Sequence, residues 1–106
     1  MFCAVYEFNV LPGKENEFKA LWHTATLEVK SYNKDVGSRL HKVVGKENQW
    51  IAYSQWPSRE KWLSHAELIF NNEPPQWAKA LKAICSSITV LLELEVADDL
   101  LTGKTD

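Results

Sequence analysis

The chain opens on an alternation: Phe2, Ala4, Tyr6, Phe8 and Val10 interleave with Cys3, Val5, Glu7 and Asn9, the two-residue period of a strand over Phe2–Val10. Its second face is apolar only at its start. Leu11-Pro12-Gly13 breaks the run, after which Phe18, Leu21, Trp22, Ala25 and Val29 recur at the three-and-four spacing that lines one side of a helix, expected over Lys14–Lys30. The polar stretch Ser31–Asp35 is a loop, Gly37–Val44 reads as a second strand through Leu40, Val43 and Val44, and Gly45–Asn48 is its turn. A third strand over Gln49–Trp56 is rich in Trp50, Ile51, Tyr53 and Trp56, and it stops at Pro57, which can donate nothing to a ladder. Ser58 is a good cap for a helix over Arg59–Leu68, with Glu60 at the positive end of its dipole. Asn71–Pro75 interrupts. Another helix begins at Pro75 or Gln76, buries a stripe of Trp77, Ala80, Leu81, Ile84 and Cys85, and ends near Ser86-Ser87. The last strand, Ile88–Val96, is expected to place Ile88, Val90, Leu92, Leu94 and Val96 on one side and Thr89, Leu91, Glu93 and Glu95 on the other.

The order β-α-β-β-α-α-β, with similar strand-to-helix junctions at Pro12-Gly13-Lys14-Glu15 and Pro57-Ser58-Arg59-Glu60, predicts an α+β, ferredoxin-like βαββαβ unit whose second helix is split. Right-handed crossovers put all helices on one face of a four-stranded antiparallel sheet and leave the other bare. Exposed apolar patches of that size are rare on monomers, so a homodimer through the sheet face is expected. One domain spans 1–97, with a C-terminal tail over 98–106.

Composition narrows the function classes. With 106 residues, 45% hydrophobic and 25% charged, the chain suits a single folded domain. A net charge of −2 without any basic run offers phosphate backbones nothing, so nucleic acid is not an expected partner. The longest apolar stretch, around Ile88–Leu92, is too short to span a bilayer, and the N-terminus lacks a basic flank, so the expectation is a cytoplasmic protein with no membrane partner. Cys3 and Cys85 lie far apart with no metal-ligand spacing around them and read as reduced thiols; no metal is expected.

Phosphate-binding glycine loops, HExxH and GxSxG are all missing, leaving two constellations. The first is a polar row. A three-residue turn at Lys46–Asn48 would set His41 opposite Tyr53 and Arg39 opposite Gln55 on one sheet face. His41 could then act as a general base near neutral pH, with Arg39, Tyr53 and Gln55 donating to a developing oxyanion. The competing reading is a satisfied polar seam in the dimer interface. The second is an aromatic pocket between sheet and helices lined by Tyr6, Trp22, Trp56 and Trp62, with His65 three residues on from Trp62 and so on the same helix face. These aromatics are equally explained as core.

Pro12-Gly13-Lys14-Glu15 leading to Phe18 and Trp22, then Gly37-Ser38-Arg39-Leu40-His41, then Ala52-Tyr53-Ser54-Gln55-Trp56-Pro57-Ser58-Arg59-Glu60, resembles the antibiotic biosynthesis monooxygenase-like domains of the dimeric α/β-barrel superfamily. The resemblance covers nearly the whole chain. It implies two facing sheets and the chemistry of relatives that oxygenate phenols or quinols with O2, with no metal or flavin cofactor. On that reading His41 is the base, Arg39 and Tyr53 the donors, Trp56 and Trp62 the walls, and the ligand a small aromatic molecule. Other relatives degrade haem with an Asn on strand one, a Trp on the helix after strand three and a His beyond it. Here Tyr6 stands at the strand-one position and no histidine follows His65, which argues against haem. The alternative is a non-catalytic dimeric module that binds a small ligand or serves structure alone.

Overall fold

The computed structural model describes residues 1–70 and 74–101, so Asn71, Asn72 and Glu73 of the expected interruption and the end of the tail lie outside the described residues. Strand β1 (Phe2–Val10) leads to helix α1 (Glu15–Tyr32), followed by β2 (Gly37–Lys42), β3 (Gln49–Trp56), α2 (Arg59–Phe70), α3 (Gln76–Ala83) and β4 (Cys85–Glu95). The sheet runs β2-β3-β1-β4 with every neighbouring pair antiparallel. This is the ferredoxin-like α+β arrangement the alternation predicts. The split second helix is also present, as α2 and α3.

One face of the sheet carries the core. Phe2, Ala4, Tyr6, Phe8 and Val10 of β1 and Trp50, Ala52 and Trp56 of β3 pack against Phe18, Ala25 and Val29 of α1, Trp62 and Ala66 of α2, and Leu81 of α3. The phases of strand and helix agree, because the period-two face and the helical stripe bury the same clusters. Both junction predictions have a visible cause. Lys14 N–H donates to the Leu11 carbonyl at 3.1 Å across Pro12-Gly13, with Gly13 at φ +82°, a conformation that costs other residues a Cβ clash. Ser58 Oγ accepts from the Lys61 amide at 3.2 Å and caps α2.

Two strand expectations are corrected. The turn after β2 is longer than three residues and starts earlier: Lys46 N–H donates to the Val43 carbonyl at 3.1 Å, with Gly45 at φ +84°. Val44 therefore occupies a turn corner and is 98% exposed, although its β-branched side chain reads as strand. The register moves by two: Arg39 pairs with Tyr53, His41 with Ile51 and Gly37 with Gln55, in place of the expected partners. An even slip preserves the faces, so Arg39, His41, Tyr53 and Gln55 still share one side.

The second correction concerns β4, which begins at Cys85, ends at Glu95, and does not alternate throughout. Val90 pairs with Tyr6 but Leu92 pairs with Val5, leaving Leu91 as the extra residue of a bulge. Beyond it the faces exchange. Ile88 and Val90 stay on the helix side opposite Phe8 and Tyr6, whereas Leu92 and Leu94 stand opposite Val5 and Cys3 on the open face. Glu93 turns to the helix side, where Arg59 Nε meets its carboxylate at 2.6 Å. A second irregularity falls between Asn9 and Val10.

Candidate functional site

A cavity of about 70 Å3 lies between the sheet and the helices. β1 supplies Tyr6 and Phe8, β3 supplies Ala52, Ser54 and Trp56, α1 supplies Trp22, Ala25 and Val29, α2 supplies His65, and α3 supplies Trp77 and Leu81. Of the residues the sequence proposes for an aromatic pocket, Tyr6, Trp22, Trp56 and His65 line this space. Trp62 stands behind it: its ring packs 5.2 Å from Phe2, and its indole Nε1 donates to the Tyr6 hydroxyl at 2.5 Å.

The walls are apolar and their polar groups are mostly engaged. Ser54 Oγ donates to the Ala4 carbonyl at 3.2 Å and accepts from Trp56 Nε1 at 3.0 Å. Ser38 Oγ donates to the Tyr53 carbonyl at 3.1 Å. Burial lifts the Tyr6 phenol to about 12 against the smaller opposing effect of the Trp62 bond, so it stays protonated and can donate but cannot serve as a base near neutrality. The His65 ring lies 4.9 Å from that of Trp56 and 5.5 Å from that of Trp77, the latter nearly parallel at 6°. Burial lowers its pKa from 6.5 to about 4, leaving a neutral imidazole at physiological pH. Among the described residues, no Lys, Arg, Asp or Glu lines the cavity.

The polar row lies on the opposite side of the sheet. Alternation along β3 sends Ala52, Ser54 and Trp56 to the cavity and Ile51, Tyr53 and Gln55 away from it. Tyr53 Oη lies 3.0 Å from Cys3 Sγ and 3.4 Å from Gln55 Nε2, and the Cys3 contact holds its pKa above the ordinary phenol value. Arg39 and His41 are exposed on β2, with His41 Nδ1 3.2 Å from the Ile51 carbonyl. Cys3, Tyr53, Gln55 and Leu94 floor a second, roomier cleft of about 430 Å3, whose wall is the segment Val96–Leu101. The two constellations are therefore separated by the sheet itself, and within one protomer His41 cannot meet a ring held against Trp56.

Trp77, Ser38 and Ser54 are cavity residues that sequence reasoning does not single out. Trp77 reads as core on its helix stripe, and its stacking with His65 of α2 is a tertiary contact that no local pattern marks. Among the described residues, no cluster of His, Cys, Asp or Glu could hold a metal ion, and no helix is long and apolar enough to cross a membrane.

The layered arrangement of sheet and helices is a fold shared with several solved structures. SnoaB from Streptomyces nogalater, described as a cofactor-independent oxygenase, superposes with a TM-score of 0.71 at 16% identity, over 94% of this chain and 96% of its own. The haem degrader MhuD from Mycobacterium tuberculosis, with two haems bound in its active site, does so at 0.70 and 16% identity, over 94% and 99%. A search of curated proteins returns no match. The family model for antibiotic biosynthesis monooxygenase matches residues 1–69, and the chain belongs to that family.

Proposed function

We propose that the cavity between sheet and helices binds a small aromatic molecule of the phenol or quinol type, and that the protein oxygenates it with O2 without a resident cofactor. The observation that carries this reading is the lining: Tyr6, Trp22, Trp56 and Trp77 around an apolar space with few polar groups, a setting that favours a flat ring and an apolar gas. Family membership and the fold shared with SnoaB support oxygenation as the chemistry. Haem fits poorly. Among the described residues the lining holds no cationic side chain to meet a propionate.

The bare face of the sheet supports the proposal that two copies pair there. Leu91, Leu92 and Leu94 are 44%, 53% and 39% exposed on the far half of β4, next to Val5 and Cys3. In such a dimer Arg39, His41, Tyr53 and Gln55 form a polar seam between the sheets. A non-catalytic binding module is the second reading, favoured by one specific observation: the cavity's serine hydroxyls already have partners. Oxygen uptake by purified, metal-free and flavin-free protein across a panel of monocyclic phenols and hydroquinones separates them. Substrate-dependent uptake that falls at least tenfold in Trp56→Leu and is unchanged in His41→Ala supports oxygenation in the cavity. Saturable binding without uptake supports the module, and loss of uptake in His41→Ala moves the chemistry to the open face.

A further inference from the structure

We propose that His65 is the specificity-determining residue of the cavity, and that it selects uncharged, hydroxyl-bearing single rings over both bare hydrocarbons and carboxylated aromatics. The inference rests on the cavity reading above and adds to it the ligand's charge and the residue that reads its hydroxyl.

Ser38 and Ser54 spend their hydroxyl protons on backbone carbonyls, while Tyr6 accepts from Trp62 and keeps an O–H that can donate. His65 lines the same space, yet neither of its ring nitrogens has a hydrogen-bond partner among the described residues. Neither nitrogen is among the sealed, unpartnered side-chain polar atoms of the described residues, where Trp50 Nε1, away from this cavity, is found, so both keep some accessible surface. A residue that only packs against two indoles needs no nitrogen, and one left open in an apolar wall is an unused donor or acceptor.

The stacking fixes where that group points. Trp77 stacks on the imidazole at 5.5 Å and 6°, and Trp56 lies 4.9 Å from it at 34°, so these contacts engage the ring's faces and leave its edge for a ligand. Because burial keeps the ring uncharged, one nitrogen accepts and the other donates. The neutral imidazole suits an O–H group as well as a quinol's second oxygen.

Charge sets the other half of the selection. Among the described residues the lining contains no arginine or lysine, so a carboxylate brought inside would be buried without a counter-ion. Size sets the other limit: the space is small, about 70 Å3, and one ring is the most it takes.

The test is a binding comparison at pH 7.5 with toluene, 4-methylphenol and 4-hydroxybenzoate, followed by chemical-shift titration of the intact protein. Wild type is expected to bind 4-methylphenol about tenfold more tightly than toluene, and His65→Phe, which retains the stacked ring, is expected to lose that preference while holding toluene with unchanged affinity. His65→Gln, which restores a donor and an acceptor, should recover part of it and covers the case in which the Phe variant does not fold. A preference that persists in His65→Phe overturns the role of His65 and leaves the cavity reading standing. Binding of 4-hydroxybenzoate as tight as that of 4-methylphenol overturns the selection by charge, a result that needs no variant. Failure of wild type to bind either toluene or 4-methylphenol overturns the cavity reading, and this inference with it.

Discussion

His65 couples the site to stability through its proton. In the folded chain burial holds its pKa at about 4, against 6.5 when unfolded, so between these values the unfolded state binds the extra proton. The stability contributed by keeping this ring neutral is complete above pH 6.5 and is lost as pH falls toward 4, a change of about 3 kcal/mol across that window. Urea midpoints at pH 7 and pH 4.5 should therefore draw closer together in His65→Phe than in wild type. A second residue-scale expectation concerns the bond from Trp62 Nε1 to the Tyr6 hydroxyl, which is buried and tethers α2 to β1. A double-mutant cycle of Trp62→Phe and Tyr6→Phe should return a coupling of about 1 kcal/mol in denaturant unfolding. Residue identities were readable in the sequence as a set of aromatics; their division was not. Whether Trp62 walls the cavity or stands behind Tyr6 depends on one hydroxyl meeting one indole across 56 positions of chain, and Trp77 meets His65 only in the tertiary fold.

At the scale of elements, periodicity reveals what forms and cannot reveal how it is paired. The order of strands and helices follows from alternation and stripe, and both helix-entry junctions follow from proline, glycine and serine chemistry. The hairpin register depends instead on whether Val43 and Val44 end a strand or begin a turn. Gly45 at φ +84° decides for the turn, pushing Val44 into solvent. The bulge at Leu91 is likewise silent in sequence, since Val90-Leu91-Leu92 offers three apolar residues that would suit either face. Its consequence is measurable. Val90 faces the helices and Leu92 faces away, so Val90→Asp should cost about 2 kcal/mol or more in stability, and Leu92→Asp should leave the unfolding of the isolated protomer within about 0.5 kcal/mol of wild type. Uninterrupted alternation, with both residues on one face, would make the two costs alike.

For the molecule as a whole, one sheet divides two surfaces with different fates. The helix side encloses a small aromatic space, and the open side shows leucines and a polar row that support pairing with a second copy. Leu92→Asp should therefore shift sedimentation from dimer toward monomer at micromolar concentration without changing ligand binding in the cavity. That separation was only half legible in the sequence. The bare face follows from topology, but which candidate residues lie on which side follows from the phase of β3, where Trp56 and Tyr53 point oppositely. The most direct test is diffraction from crystals soaked with 4-bromophenol, with the bromine located by its anomalous signal. The account predicts bromine between Trp22, Trp56 and Trp77 on the helix side of the sheet. Bromine against Tyr53, Gln55 and Cys3, with the helix side empty, would contradict it.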